Sequence, residues 1–146
     1  MKRKTLIWII AICLVIVVIA AVCVISALRN GPHKAFPTLK AEDVAAVEVT
    51  FGAYPPYPMT GEDQASLVTL LQQIEVTRET DEYQDYDGIT TQMFVLYLTD
   101  GMEIGLGAGN PFFFVDGQGY WCEDSAAEEI QALYTAYIPL IQGEAE

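Results

Sequence analysis

The residues in this chain that could do chemistry are few, and their spacing narrows what they can be. The single histidine, His33, falls in a proline-bracketed segment, apart from any serine or cysteine that could act as a nucleophile. A Ser-His-Asp or Cys-His relay, or a histidine-based metal site, is therefore not expected. Cys13 and Cys23 lie in an apolar N-terminal run, so Cys122 is alone in the rest of the chain. It can form no disulfide there and reads as a small buried hydrophobe. Carboxylates are what remains. Glu79, Asp81, Glu82, Asp85 and Asp87 crowd one loop that ends at Gly88, which invites a calcium reading. The EF-hand spacing fails: with Gly88 sixth, the first ligand position is Tyr83 and the twelfth is Phe94. A solvated acidic loop is the default, with a non-EF calcium loop as its competitor. A glycosidase needs two carboxylates about 5–9.5 Å apart across a cleft, and these acids sit mostly in loops and at helix starts. No catalytic residue, metal ligand or cofactor is assigned.

The second constellation is aromatic and glycine-rich. Gln92 to Cys122 reads as a four-stranded meander whose turns can be checked against one another. A two-residue type I′ turn at Asp100-Gly101 pairs Tyr97 with Ile104, Val95 with Leu106 and Met93 with Ala108, and on the other face Leu96 with Gly105 and Phe94 with Gly107. A two-residue turn at Gly109-Asn110 pairs Leu106 with Phe113, Ile104 with Val115, Gly105 with Phe114 and Gly107 with Phe112. A third hairpin around Asp116-Gly117-Gln118-Gly119 pairs Val115 with Tyr120, Phe113 with Cys122 and Phe114 with Trp121. One face stays consistent through all three turns, and a one-residue slip would break it. The opposite face then carries Gly105 and Gly107 between Phe94 and Leu96 on one side and Phe112, Phe114 and Trp121 on the other. These seven residues are the candidate ligand-binding set. Such a floor could hold a sugar or an extended peptide, or pack against a second copy as a homodimer. Alternatively the rings fold over the glycines, or sheet curvature or the C-terminal segment covers them. The run Gly105-Leu106-Gly107-Ala108-Gly109 is not a dinucleotide loop: Asn110 and Pro111 follow where a helix should open, and no cation is near to meet phosphate.

The elements that must position these residues are legible as periodicities. Val47, Val49 and Phe51 alternate with Glu48 and Thr50, the period of a strand with one buried face. Tyr54-Pro55-Pro56-Tyr57-Pro58 is a rigid loop with a PxxP spacing; Tyr-on-Pro packing is preferred to a proline-motif reader. Thr60-Gly61-Glu62-Asp63 resembles a capping box, and Leu67, Leu70, Leu71 and Ile74 recur at helical spacing, predicting a helix from about Gly61 to Ile74. Ser125-Ala126-Ala127-Glu128 is a second capping box, followed by the stripe Ile130, Leu133, Tyr134, Tyr137 and a stop at Pro139. The order β-α-β-β-β-β-α predicts an α+β fold: a two-layer sandwich of a mostly antiparallel sheet with two helices on the Val95, Leu106, Phe113 face.

All of this follows residues 5–28, a run without a charge. Leu6 to Ile25 would cover about 30 Å as a helix, the hydrocarbon thickness of a bilayer. The expected organisation is a cytoplasmic tail at 1–4, a transmembrane helix at 5–28, a linker at 29–40 and an extracytoplasmic domain at 41–146. A cleaved signal peptide competes, since Lys2, Arg3 and Lys4 form a basic n-region and Ile25-Ser26-Ala27 could be cut, but the apolar run exceeds a signal h-region. A lipoprotein reading ranks third, because Val22 stands where a lipobox wants a small residue. The N-terminal cations favour N-inside, against Arg29, Lys34 and Lys40 just beyond the span. So short a tail leaves no room for an inward-signalling domain. Ile16, Ala20, Cys23 and Ala27 form a thin small-residue stripe. Through residue 30 there are four cations and no acids; beyond it, three cations stand against all 20 acids. Such a field repels nucleic acid and anionic surfaces and tolerates basic partners.

A basic N-terminus and single span, a short linker ending in Leu39-Lys40-Ala41-Glu42-Asp43, the Thr60-Gly61-Glu62-Asp63 helix start, Leu98-Thr99-Asp100-Gly101 and Val115-Asp116-Gly117-Gln118-Gly119-Tyr120 together resemble small membrane-anchored or lipoprotein-like domains of unknown function from Gram-positive bacteria. The resemblance covers nearly the whole chain through turn and cap signals, and implies a bacterial envelope location. It supplies no catalytic residue. The function expected is an interaction module contacting the lipid bilayer through 5–28 and an envelope protein. The alternatives are a cell-wall glycan or small-ligand binder and, most remotely, a calcium-dependent or carboxylate-based hydrolase.

Overall fold

A computed structural model describes residues 3–143; Met1 and Lys2, part of the expected tail, and the last three residues of the expected domain lie outside the described residues. The chain divides into two compact units, Met1–Gly31 and Pro32–Glu146. The first is one helix, α1 (Arg3–Asn30), 28 residues long, with a mean hydropathy of 3.4 over its apolar window. At about 1.5 Å per residue it is long and apolar enough to cross a bilayer, and none of its residues is buried.

The second unit is α+β. Its strands are β1 (His33–Lys34), β2 (Val44–Val49), β3 (Tyr57–Pro58), β4 (Glu75–Val76), β5 (Glu79–Thr80), β6 (Phe94–Leu98), β7 (Glu103–Gly109), β8 (Phe112–Val115) and β9 (Gln118–Trp121); its helices are α2 (Gly61–Gln73) and α3 (Ser125–Ile141). Seven strands form one antiparallel sheet in the order β3-β2-β6-β7-β8-β9-β5, and β1 pairs with β4 apart from it. Both edges of the large sheet, β3 and β5, are two residues long. Leu67, Val68 and Leu71 of α2 and Ile130, Tyr134 and Tyr137 of α3 close one face over Val47, Val49, Phe94, Leu96, Leu106, Ala108 and Phe113. That gives the predicted two layers, helices on one side.

The helices start on local chemistry. Thr60 Oγ1 accepts from the Asp63 N–H at 3.3 Å, the N-cap expected. Asp63 departs from its expected role: its carboxylate takes a short hydrogen bond from the Tyr137 hydroxyl, whose oxygen accepts from Thr60 N at 3.2 Å. The start of α2 is thereby tied to α3. The cap of α3 is Asp124 rather than Ser125: one oxygen accepts from Ala126 N and the other from Glu75 N, each at 3.0 Å. Pro139 does not stop α3. It sits in the last turn, where a missing N–H forfeits only one bond, and the chain turns out at Gly143 (φ +72°).

Two corrections bear on the site. The segment expected as a linker, 29–40, is not one: α1 runs through Asn30 and residues from Pro32 onward are folded into the second unit. Its apolar residues explain this, since Ala35, Phe36 and Leu39 pack against the core, Phe36 edge-on to Phe113 at 6.4 Å. The turn at Asp100-Gly101 is also a three-residue loop. Gly101 N bonds Leu98 O at 3.0 Å, Leu98 N bonds Met102 O at 2.8 Å, and Gly101 has φ +89°, a type I turn closed by a left-handed glycine. The register shifts by one: Phe94 pairs with Leu106, Val95 with Gly105, Leu96 with Ile104 and Tyr97 with Glu103. The other two hairpins each shift by two and keep their faces. β7 and β8 turn at Asn110-Pro111, a cis peptide, and β8 and β9 at Asp116-Gly117, both with positive φ.

Candidate functional site

The one-residue slip divides the seven residues read as a binding set. Phe94 and Leu96 point to the helix side, fully buried under α3 and beside β2. Gly105, Gly107, Phe112, Phe114 and Trp121 remain together on the opposite face, joined by Gly109 and Gly119. That face is not an open groove along most of its length, because the acidic loop lies on it. Tyr83 sets its ring edge-on to Phe114 at 4.9 Å and Phe112 at 6.2 Å, and Tyr86 sits edge-on to Phe112 at 5.1 Å. Phe112 and Phe114 are fully buried in consequence.

The glycines are the seat of this loop. A Cβ on Gly107 would lie 2.4 Å from Thr91 O and 2.9 Å from Thr90 O; one on Gly109 would lie 3.1 Å from Ile89 Cδ1; one on Gly119 would lie 2.7 Å from the Tyr83 ring and 2.8 Å from Thr80 O. Backbone approaches backbone here, which only glycine permits. The covering element is therefore neither the rings alone nor the C-terminal segment but the 81–92 loop. The signal that would have found it is the apolar set Tyr83, Tyr86 and Ile89 within an otherwise acidic stretch. Its carboxylates remain on the outside: Asp81, Glu82, Asp85 and Asp87 are exposed. Among the described residues no three His, Cys, Asp or Glu side chains converge as a metal site.

Trp121 is half-buried at the end of this face. Its ring stacks at a tilt on Phe112, centroids 4.8 Å apart, and the Arg78 guanidinium lies over it at 5.7 Å. Its indole N–H is buried without a hydrogen-bond acceptor. Beside it a cleft of about 380 Å³ is lined by Pro32, Glu75, Thr77, Trp121, Glu123 and Asp124. Arg78 takes the ring face that a sugar would stack on.

The uncovered part of the sheet lies at the other end, over β2, β6 and the start of β7. A hollow of about 340 Å³ there is lined by Gln92, Val95, Glu103, Gly105 and Asp116. Asp116 Oδ1 accepts from Gly105 N at 2.8 Å, and the Tyr97 hydroxyl donates to Glu48 Oε2 at 2.8 Å. The bond to Glu48, then burial, then the charges of Glu48 and Glu103 raise the Tyr97 phenol above its ordinary pKa. This is an acidic, hydrogen-bonding surface.

Cys122, 2% exposed, donates its S–H to Glu75 O at 3.2 Å, and burial raises its thiol pKa. In the proline loop Tyr54 stacks on Phe51 at 5.9 Å and Tyr57 meets Tyr137 edge-on at 6.0 Å. The PxxP segment is partly consumed, since Tyr57–Pro58 is strand β3. No protein-family model matches this chain, and neither a curated protein nor a solved structure matches it.

Proposed function

We propose that this chain is a membrane-anchored, extracytoplasmic interaction module of a bacterial envelope, held by α1 and presenting the uncovered end of its sheet to a cationic partner protein. The membrane half of this reading rests on the length and apolarity of α1, and its orientation on the basic residues that precede the span. The observation that carries the interaction half is the bare sheet surface carrying Glu48, Tyr97, Glu103 and Asp116, beside a half that the chain covers for itself. Carboxylates already fixed by hydrogen bonds are pre-organised for lysine or arginine side chains. A glycan-binding reading is weaker, because the glycine-aromatic face is filled by the 81–92 loop and the Trp121 ring is occupied by Arg78.

The test uses the full chain expressed in a Gram-positive host. Protease added to protoplasts should remove the folded unit, and a photo-crosslinker placed at Met102, 60% exposed beside this surface, should capture a protein that Glu103→Lys with Asp116→Lys no longer captures. Protection from external protease would sink the orientation. Unchanged capture by the charge-reversed variant would sink the surface.

A further inference from the structure

Residues 32–40 join the apolar helix to the first long strand; Ala35, Phe36 and Leu39 are half-buried against the core, and the backbone pairing that holds the segment is only two residues long. Pro32 and Pro37 bracket β1. Because proline has no N–H to offer a ladder, the pairing of His33–Lys34 with Glu75–Val76 ends one bond later, at Ala35 N to Ile74 O, 3.2 Å. Lys34 Nζ donates to Gln73 O at 2.7 Å and lies 3.5 Å from Glu75, with both side chains about half exposed (43% and 51%). A cavity of about 350 Å³ opens beside the segment, lined by Pro37, Thr38 and Leu39 together with Leu98 and Ile104. One side-chain bond, Gln72 Nε2 to Leu39 O at 2.8 Å, spans that stretch.

The dock stands without the segment. Glu75 N is held by Asp124 at 3.0 Å, Glu75 O by the Cys122 thiol at 3.2 Å, and Thr77 N by Trp121 O at 2.9 Å. On the other side β2 is gripped by β3 and β6. The seven-stranded sheet therefore keeps its strand pairings when 32–40 leaves, and α2 gives up the bonds that Gln72 and Gln73 make to the segment. Local opening of this kind is drawn from segments with few buried contacts and exposed hydrogen bonds.

We propose that residues 32–40 are a releasable strap: docked, they hold the reach of the folded unit short, and opened, they lengthen its tether by at most about 30 Å, the full extension of nine residues at about 3.3–3.6 Å each. The gain in reach rests on the reading of α1 as a membrane anchor; the opening itself does not. A partner that pulls the domain away from the bilayer would shift the strap toward its open form, and the open form would let the bare sheet surface search a larger shell.

Amide hydrogen exchange on the full chain in lipid nanodiscs tests this. The Ala35 amide should exchange about 100-fold faster than amides of β6 and β7 and show a much weaker dependence on low urea than they do, the mark of an opening that exposes less surface than global unfolding. Phe36→Ala should speed Ala35 about tenfold further while leaving the β6 and β7 amides unchanged. Lys34→Ala, which removes no core group, should act in the same direction. Exchange of Ala35 at the same rate and urea dependence as β6 and β7 would overturn the strap, because it would then open only with the whole domain. Flotation of the same chain with vesicles separates the two readings: fast Ala35 exchange without flotation would fail the anchor and leave the strap.

Discussion

At Gly107 one added carbon would do disproportionate harm. Its missing side chain is the space through which Thr90 and Thr91 lay their carbonyls on the sheet, 2.9 Å and 2.4 Å from where a Cβ would stand. Those atoms are backbone and cannot swing aside. Gly107→Ala should therefore lower stability by about 2 kcal/mol, the scale of an overpacked core, and release the 81–92 loop to proteolysis before the sheet melts. Gly61, in the first turn of α2 with open space around it, is the control: Gly61→Ala should raise stability by about 0.5 kcal/mol by restricting the unfolded chain. Urea midpoints of the two variants check both signs. A sequence shows the two glycines as equals, because the difference lies in a loop more than fifteen residues away along the chain.

At the scale of elements, the helices were the readable part and one hairpin was not. Capping residues and apolar spacing are local signals, and they placed α2 to within a residue and the start of α3 likewise, while the expected stop at Pro139 gave way to a helix that runs to Ile141. Phe94-Val95-Leu96-Tyr97-Leu98 is apolar throughout, so its pattern does not say which face is inside, and the turn must decide. Asp100-Gly101 and Asp116-Gly117 are the same dipeptide, yet only Asp116 takes positive φ, at 50°. The first closes a three-residue loop and the second a two-residue one, and that single count moved Phe94 and Leu96 to the helix side. Whether an aspartate enters the left-handed region depends on the strands that follow, which no local motif records. A second contact between elements is testable by pH. Burial and then the bond to Asp63 raise the Tyr137 phenol above its ordinary value of 10.0, with Tyr97, Tyr120 and Tyr134 raised as well. The native state holds these protons more tightly than the unfolded chain, so their contribution is whole below pH 10 and is lost as pH climbs through the folded values. Urea midpoints should fall progressively above pH 10. Tyr137→Phe should make that fall shallower and, by stranding Thr60 N and Asp63, cost about 1 kcal/mol at neutral pH.

For the whole molecule, the boundary between the apolar helix and the folded unit falls earlier than composition suggests. Proline, glycine and charge between residues 29 and 40 read as tether, but Phe36 and Leu39 find the core, and the folded unit begins at Pro32. A fragment of residues 32–146 should unfold in one cooperative transition. A fragment of 41–146 should still fold, with a Tm lower by several degrees for the loss of about 2 kcal/mol of apolar contact; calorimetry distinguishes this from an unfolded product.

The two-residue edges of the large sheet have a consequence for a chain held on a surface, as proposed above for this one. A protein fixed to a membrane meets its copies in two dimensions, where local concentration is high and orientation is shared, conditions that favour one sheet recruiting the next. β3 ends in a proline, which offers no N–H, and β5 turns directly into the acidic loop. Neither margin is long enough to template a neighbour. Crowding such chains together, as the proposed anchoring would, should raise the frequency of encounters without converting them into strand exchange, so that the domain would stay individually folded at high density.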